Sequence, residues 1–411
     1  MEPSEEILIV GAGVAGLATA LALHRLGLRS TLLESSSNLR VSGYGILTWT
    51  NAWRALDALG VGNHLRERHL LLQEMQAVST VSGLVTSTAS FMEKGKNGNH
   101  EVRCLIRKVL LETLAKDLPQ GTIKYSSKVV HIEDAECFKL VHLANGHIIK
   151  AKVLIGCDGV NSVVAKWLKL QRPVHTQRAA VRGIVQFPDG HGLEPNVLQH
   201  YGSGIRHGYV PCDEKSVYWF MTYMTSEKMD KEMENDGAKM KEFVLNNLGN
   251  VSTKSKTLVE KTELENMTAA PLKMRSPWDM LLKNISKDNV CIAGDALHPM
   301  TPDIGQGGCS ALEDAIVVAR CLGEALTKRV DEETRKDKED VHKRIKDGLE
   351  KYAGERRWRS FMLITTAYLV GKTQQTSGSL IRFLREKFLS GILLQALLRT
   401  ADFDCGNLSH I

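Results

Sequence analysis

The chain has no apolar run long enough to cross a bilayer: its longest, Phe361 to Val370 and Phe388 to Leu398, fall short of the ~20 residues a spanning helix needs. Cysteine pairing is also missing. The eight cysteines, at positions 104, 137, 157, 212, 291, 309, 321 and 405, make no C-x-x-C pair and no metal-type spacing with histidine, so reduced thiols and a cytoplasmic protein are expected. Charge of one sign is scarce as well: 53 basic against 47 acidic residues leave a dispersed +6, which argues against nucleic acid and for a small anionic ligand. No internal repeat is present, and the acidic opening MEPSEE leads directly into a predicted strand, so no signal or transit peptide is expected. At 411 residues the chain exceeds the usual size of one hydrophobic core, and two cores or a discontinuous arrangement should follow.

What is present begins with ILIVGAGVAG, residues 7–16. The unbroken run from Ile7 to Val10 predicts a buried parallel strand, and Gly11, Gly13 and Gly16 a tight turn into a helix. Gly11 permits the turn, Gly13 removes a side chain that would block a pyrophosphate, and Gly16 lets helix and strand pack closely. The helix N-terminus offers bare N–H groups to the anion. Glu34 ends the next strand, TLLE, where an acidic side chain accepts hydrogen bonds from a ribose diol, which favours FAD or NAD over NADP at this site.

Further along, Gly43 and Gly45 either let backbone approach a flat ring or merely relax a loop. Residues 71–91 alternate and are β-branched, so they are expected to leave the nucleotide domain for another sheet. Arg107 opens a helix, where the dipole disfavours a cation; it is either a phosphate partner or a solvated arginine. Asp158 follows a second buried strand, Val153 to Gly156, and is either at a ligand edge or a helix cap. Between Arg172 and Ala269 come antiparallel strands. One of them, SVYWFMTYM, is apolar on both faces and must be covered on both sides, by core helices or by a ligand. In the third motif, Val290 to Ala293 predicts a strand ending at Asp295, and Gly305 to Gly308 open a long helix.

Three segments, GAGVAG with Glu34, CDGVNS from Cys157, and AGDALHPMTPDIGQGGCSALEDA from Ala293, together resemble the single-component FAD-dependent aromatic hydroxylases, the p-hydroxybenzoate hydroxylase type of class A flavoprotein monooxygenase. The TPDIGQGGC segment is most similar to plant FAD-dependent monooxygenases and the FAD-dependent urate hydroxylase branch. The resemblance implies an α/β fold: a Rossmann-like FAD-binding domain of the glutathione-reductase type over residues 1–70, 100–171 and 270–330. A mostly antiparallel substrate sheet would occupy 71–99 and 172–269, and C-terminal helices 331–411.

By that resemblance Gly11, Gly13, Ala15, Gly16 and Glu34 hold the adenosine diphosphate half of FAD. Gly45 and Arg107 lie along the cofactor, Asp158 serves FAD and NAD(P)H, and Asp295 binds the ribityl or pyrophosphate portion. Gly305, Gly307 and Gly308 then set a helix N-terminus beside the flavin ring, where charge gathers on reduction. One departure is Ala165, with Lys166 after it, where family members usually carry an arginine. Asp303, Tyr218 and Arg206 fall where urate-type enzymes surround the substrate.

The implied activity is NAD(P)H- and O2-consuming hydroxylation of a small aromatic or heteroaromatic substrate through a flavin C4a-hydroperoxide, Asp303 and Tyr218 orienting or deprotonating the substrate and Arg206 binding an anionic or carbonyl group. Epoxidation, Baeyer-Villiger-like oxygen insertion, an NAD-dependent dehydrogenase and a non-catalytic binding protein on a flavoprotein-like fold are the alternatives. No metal site is expected, and the oligomeric state is not readable from the chain.

Overall fold

The apolar run after the acidic opening forms β1 (Ser4–Val10), which sits inside an eight-stranded sheet. It runs parallel to β2 (Thr31–Leu33) on one side and to the strand Ile148–Gly156 on the other, with Leu8 in register with Thr31 and Leu154. The strand Val290–Ile292 adds in parallel beside Leu154–Gly156. Three strands distant in sequence therefore end at the same edge of the sheet, where open α/β sheets bind ligands. The computed structural model describes residues 4–41, 44–80, 83–96, 98–202, 204–226, 233, 236–249, 252–327, 338–375 and 390–408.

The turn after β1 leads into α1 (Val14–Arg25), in which every residue from Ala15 to Leu23 is buried. An alanine-rich helix suits that position: its short side chains let it lie between the sheet and a second helix, Gly307–Thr327, which packs along it. Residues 31–33 and 290–292 are likewise wholly buried, as a strand covered on both faces requires.

A seven-stranded sheet forms the second layer, in the order Met267–Met274, Val174–Gln186, Ser216–Met224, Ile205–Pro211, Asn196–Gly202, Glu74–Ser79 and Val85–Ser90. All neighbours are antiparallel except Asn196–Gly202 and Glu74–Ser79, which are parallel. The expected return to the first domain at residue 270 falls inside the strand Met267–Met274. The chain stays in the sheet through Pro271 because this strand is at the edge, where a missing N–H leaves no ladder bond unmade.

The strand Ser216–Met224 has helices over one face and a cavity at the other. Val217, Trp219, Met221 and Tyr223 pack against Met240, Val244, Leu258 and Val259 of two helices, Gly237–Asn247 and Thr253–Lys261. Tyr218, Phe220 and Thr222 point the other way, into a cavity. Two C-terminal helices, Lys338–Gln375 and Ser390–Ala401, complete the described chain; the first packs on the helix Gly307–Thr327 and is called the closing helix below. No helix among the described residues is long and apolar enough to cross a membrane, and no group of side chains among them could hold a metal ion.

Candidate active site

At the sheet edge Gly11 has φ +98°, and a Cβ built on it would lie 2.5 Å from the carbonyl oxygen of Cys157, so only glycine fits between the two strand ends. A Cβ on Gly13 would meet nothing within 4 Å: this position faces open space. On Gly16 it would overlap the Gly11 carbonyl, which explains how α1 packs directly on the turn. Gly294, at φ +62°, lies against Ala15, whose Cβ would be 2.6 Å from any side chain placed there. The first and third motifs are thus in contact.

Glu34 is buried at the end of β2, accepting hydrogen bonds from the Ala12 amide at 3.0 Å and the Ser36 amide at 2.8 Å, with Arg40 at 3.3 Å. Burial alone would raise its pKa, but these donors outweigh it and hold the carboxylate below its ordinary value. Asp158 accepts from Ser162 Oγ at 2.5 Å and the Val163 amide at 2.7 Å, while Ser162 itself caps the helix Val163–Trp167, so Asp158 supports the helix start without being its cap. It also lines the cavity, and burial raises its carboxyl despite those donors. Ala165 is 3% exposed in an apolar cluster, so an arginine at this position would have no room here.

Asp295 sits in the short 3-10 turn Gly294–Ala296 after the strand Val290–Ile292. Its side chain opens onto the cavity while protein surrounds it, and that desolvation raises its pKa. Arg107 begins the helix Arg107–Lys116 and donates to the Arg40 carbonyl at 2.6 Å, bracing the loop over Glu34. Gly305 has φ +62°, and Gly307 and Gly308 start the long helix at the cavity wall. Gly45 lines the cavity, and its missing side chain is also required by protein, since a Cβ would lie 2.6 Å from Cys104 Sγ and 2.7 Å from the Tyr218 ring. Gly43 lies outside the described residues.

All the predicted site residues except Gly16, which is packed behind the turn, line one cavity of about 960 Å³. At its far end Asp303 is fully buried in a bidentate pair with Arg178, both contacts 2.8 Å, and Arg206 Nη1 reaches the same carboxylate at 3.1 Å. Burial works to raise its pKa, but the two guanidinium groups prevail and hold it below the ordinary value. Arg206 also donates from Nε to Gln199 at 3.2 Å and lies over the Phe220 ring at 5.1 Å. Burial raises the Tyr218 phenol well above its usual pKa, although Arg182 opposes the shift. Arg182, 4.9 Å over the Tyr44 ring, also lines the cavity.

Four features went unread in the sequence. Arg178 is an isolated arginine in a strand. Gly371 of the closing helix passes so near Arg178 Nη1 and Asp303 Oδ2 that a Cβ there would overlap both. Leu369, Val370 and Leu397 form part of the cavity wall from the C-terminal helices. Finally, Glu313 and Asp314 anchor the glycine-opened helix: Asp314 accepts from the Gly294 amide at 2.7 Å and Arg356 Nε at 2.6 Å, and Glu313 from Arg356 and Arg359 at 2.7 Å each. The ED pair in the third motif was the available signal for that network.

The open cradle at Gly13, the anchored Glu34, the glycine-started helix and a cavity continuous between them fit FAD. The FAD binding domain family model matches residues 4–347. The chain is 52% identical over 408 residues to Monooxygenase 2 of Arabidopsis thaliana, covering 99% of each, and 37% identical over 405 residues to Monooxygenase 1 of the same plant, covering 98% of this chain and 99% of that one. In fold it is similar to crystalline Klebsiella pneumoniae HpxO complexed with FAD and uric acid, at a TM-score of 0.81 and 19% identity, covering 98% of each chain. The chain belongs to the FAD binding domain family and is an FAD-dependent monooxygenase with the p-hydroxybenzoate hydroxylase type of fold.

Proposed function

We propose that the enzyme consumes NAD(P)H and O2 to hydroxylate a small aromatic or heteroaromatic substrate held between the flavin ring and the seven-stranded sheet. The observation that carries this is the continuity of the cavity, from the Gly11–Glu34 cradle past the N-terminus of the helix Gly307–Thr327 to Arg206 and Tyr218. When bound, reduced FAD supplies the oxygen chemistry, activating O2 and delivering one of its atoms to the ring. The side chains orient the ring, exclude water and stabilise charge.

Arg206 binds an anionic or carbonyl group of the substrate, and Tyr218, a neutral phenol in this surrounding, orients it by hydrogen bonding. The geometry favours a different role for Asp303 than deprotonating the substrate. Its carboxylate already accepts three arginine N–H bonds, and a depressed pKa makes it a weak base, so it positions Arg206. Bare N–H groups at Gly307 and Gly308 stabilise negative charge on the ring.

The direct test is to screen phenolic, purine and indolic compounds for stimulated NAD(P)H oxidation coupled to the gain of one oxygen in the product. NAD(P)H oxidation that no such compound stimulates and that yields no oxygenated product would sink the proposal. For Asp303, Asp303→Asn is expected to lower the rate by a similar factor at every pH. Loss of a limb of the pH–rate profile would instead restore it as the base.

A further inference from the structure

The sheet face that closes the cavity is graded in register. Tyr218 pairs with Val210, Leu198 with Tyr209, Val197 with Met75, and Met75 with Ala89, which aligns Tyr218, Val210, Val197, Met75 and Ala89 in one row across five strands. Two positions along each strand, a second row aligns Phe220, Gln199 and Ala77. A third holds Thr222, Arg206, Tyr201 and Ser79. Every one of these residues lines the cavity. Polar groups gather in the third row, near Asp303, whereas the first is apolar beyond Tyr218.

Strands lie about 4.8 Å apart, so the apolar row extends roughly 19 Å from Tyr218, well beyond the width of a single aromatic ring. The C-terminal helices supply its opposite wall. Val370 and Leu397 are buried there, Leu369 is 56% exposed at the edge of the cavity, and the helix Ser390–Ala401 packs on the strand Val85–Ser90 that carries Ala89. Met75 and Ala89, at the distant end, are only partly buried. Val210 and Val197, between Tyr218 and Met75, are almost fully buried, so the row opens to the cavity beside Tyr218 and again at Met75 and Ala89, and this trough's apolar lining matches an apolar chain better than water.

We infer that the substrate is a ring bearing an apolar chain of several carbons, its anionic or carbonyl group on Arg206 and its chain reaching past Tyr218 to Met75 and Ala89. This rests on the ring-hydroxylating function proposed above and adds the class of substituent. Each buried methylene is worth about fourfold in affinity, so a five-carbon chain buried along half its length should gain about thirtyfold.

The test compares para-hydroxybenzoate with the same acid bearing a pentyl chain on the ring, using the FAD-loaded enzyme and the change in flavin absorbance as the binding signal. The pentyl homologue should bind about thirtyfold more tightly. Ala89→Phe, which fills the far end of the trough, should reduce that ratio to about threefold or less. Met75→Gln, which makes the same stretch polar at nearly constant length, should act likewise and serves if Ala89→Phe does not fold. Equal affinities in the wild type would overturn the chain while leaving the ring proposal intact. A thirtyfold gain insensitive to either substitution would place the chain elsewhere and also overturn the assignment. If neither acid at millimolar concentration perturbs the flavin, the trough assignment fails, while the ring proposal stands or falls on the compound screen.

Discussion

Gly371→Ala adds one methyl group at the point where the closing helix crosses the Arg178–Asp303 pair. The new Cβ would overlap Arg178 Nη1 and Asp303 Oδ2 together, and neither can retreat, because both side chains are buried and bonded to each other. Overpacking of this kind costs up to about 3 kcal/mol, while replacing glycine by alanine within a helix returns about 1 kcal/mol. The net expectation is a loss of about 2 kcal/mol. Gly354 provides the control in the same helix: a Cβ there meets nothing within 4 Å, so Gly354→Ala should gain about 1 kcal/mol. Guanidinium unfolding with FAD in excess should therefore separate the two variants by about 3 kcal/mol. Displacing the pair should also turn Arg206 away from the cavity and weaken binding of the carboxylate probes. If Gly371→Ala proved as stable as Gly354→Ala and bound those acids as wild type does, the closing helix would have no part in positioning Arg206.

Gly13→Val places a side chain in the space facing the cofactor while touching no protein atom at its Cβ. The fold should survive and FAD affinity fall at least about tenfold, the equivalent of one lost N–H contact, measured as flavin per protein after gel filtration. The Glu313 carboxyl is held at about 2, the arginines beside it outweighing its burial. A depressed folded-state pKa contributes stability that is complete above about 4.5 and lost as pH falls toward 2, here of the order of 3 kcal/mol. Thermal midpoints of wild type should drop through that window. Glu313→Gln should be less stable at neutral pH by about 3 kcal/mol, with Arg356 and Arg359 short of a partner, and should show a shallower drop. An identical pH slope in both proteins would contradict this account.

The glycine turn proposed as the cofactor cradle was legible in the sequence because its constraints are local. Gly11 must bend the chain, Gly13 must leave room and Gly16 must admit the turn, each within six residues of the same strand end. Motifs from residues 157 and 293 could be assigned to the same edge because buried parallel strands precede them. The substrate end was legible only in part. Asp303 was found from its motif, yet its role depends on Arg178, 125 positions away in an alternating strand where nothing local distinguishes an arginine that points inward. Gly371 reads in sequence as a weak point in a helix, since its requirement is set entirely by the two side chains it crosses. The domain boundary expected after residue 269 falls inside the last strand of the second sheet, because nothing local marks where that strand stops and only the sheet order shows that it is at an edge, where Pro271 is tolerated.

The position of the closing helix also bears on the order in which the enzyme becomes competent. The residues that cradle the cofactor all precede position 309, whereas Thr366, Leu369, Val370 and Leu397 lie in the final tenth or so of the chain. A nascent polypeptide, emerging from its N-terminus, completes the dinucleotide cradle well before the wall over Arg206 exists. Flavin bound at that stage would face water where the finished protein presents helix. These helices, made after the cradle, therefore add the wall that faces the substrate side of the cavity.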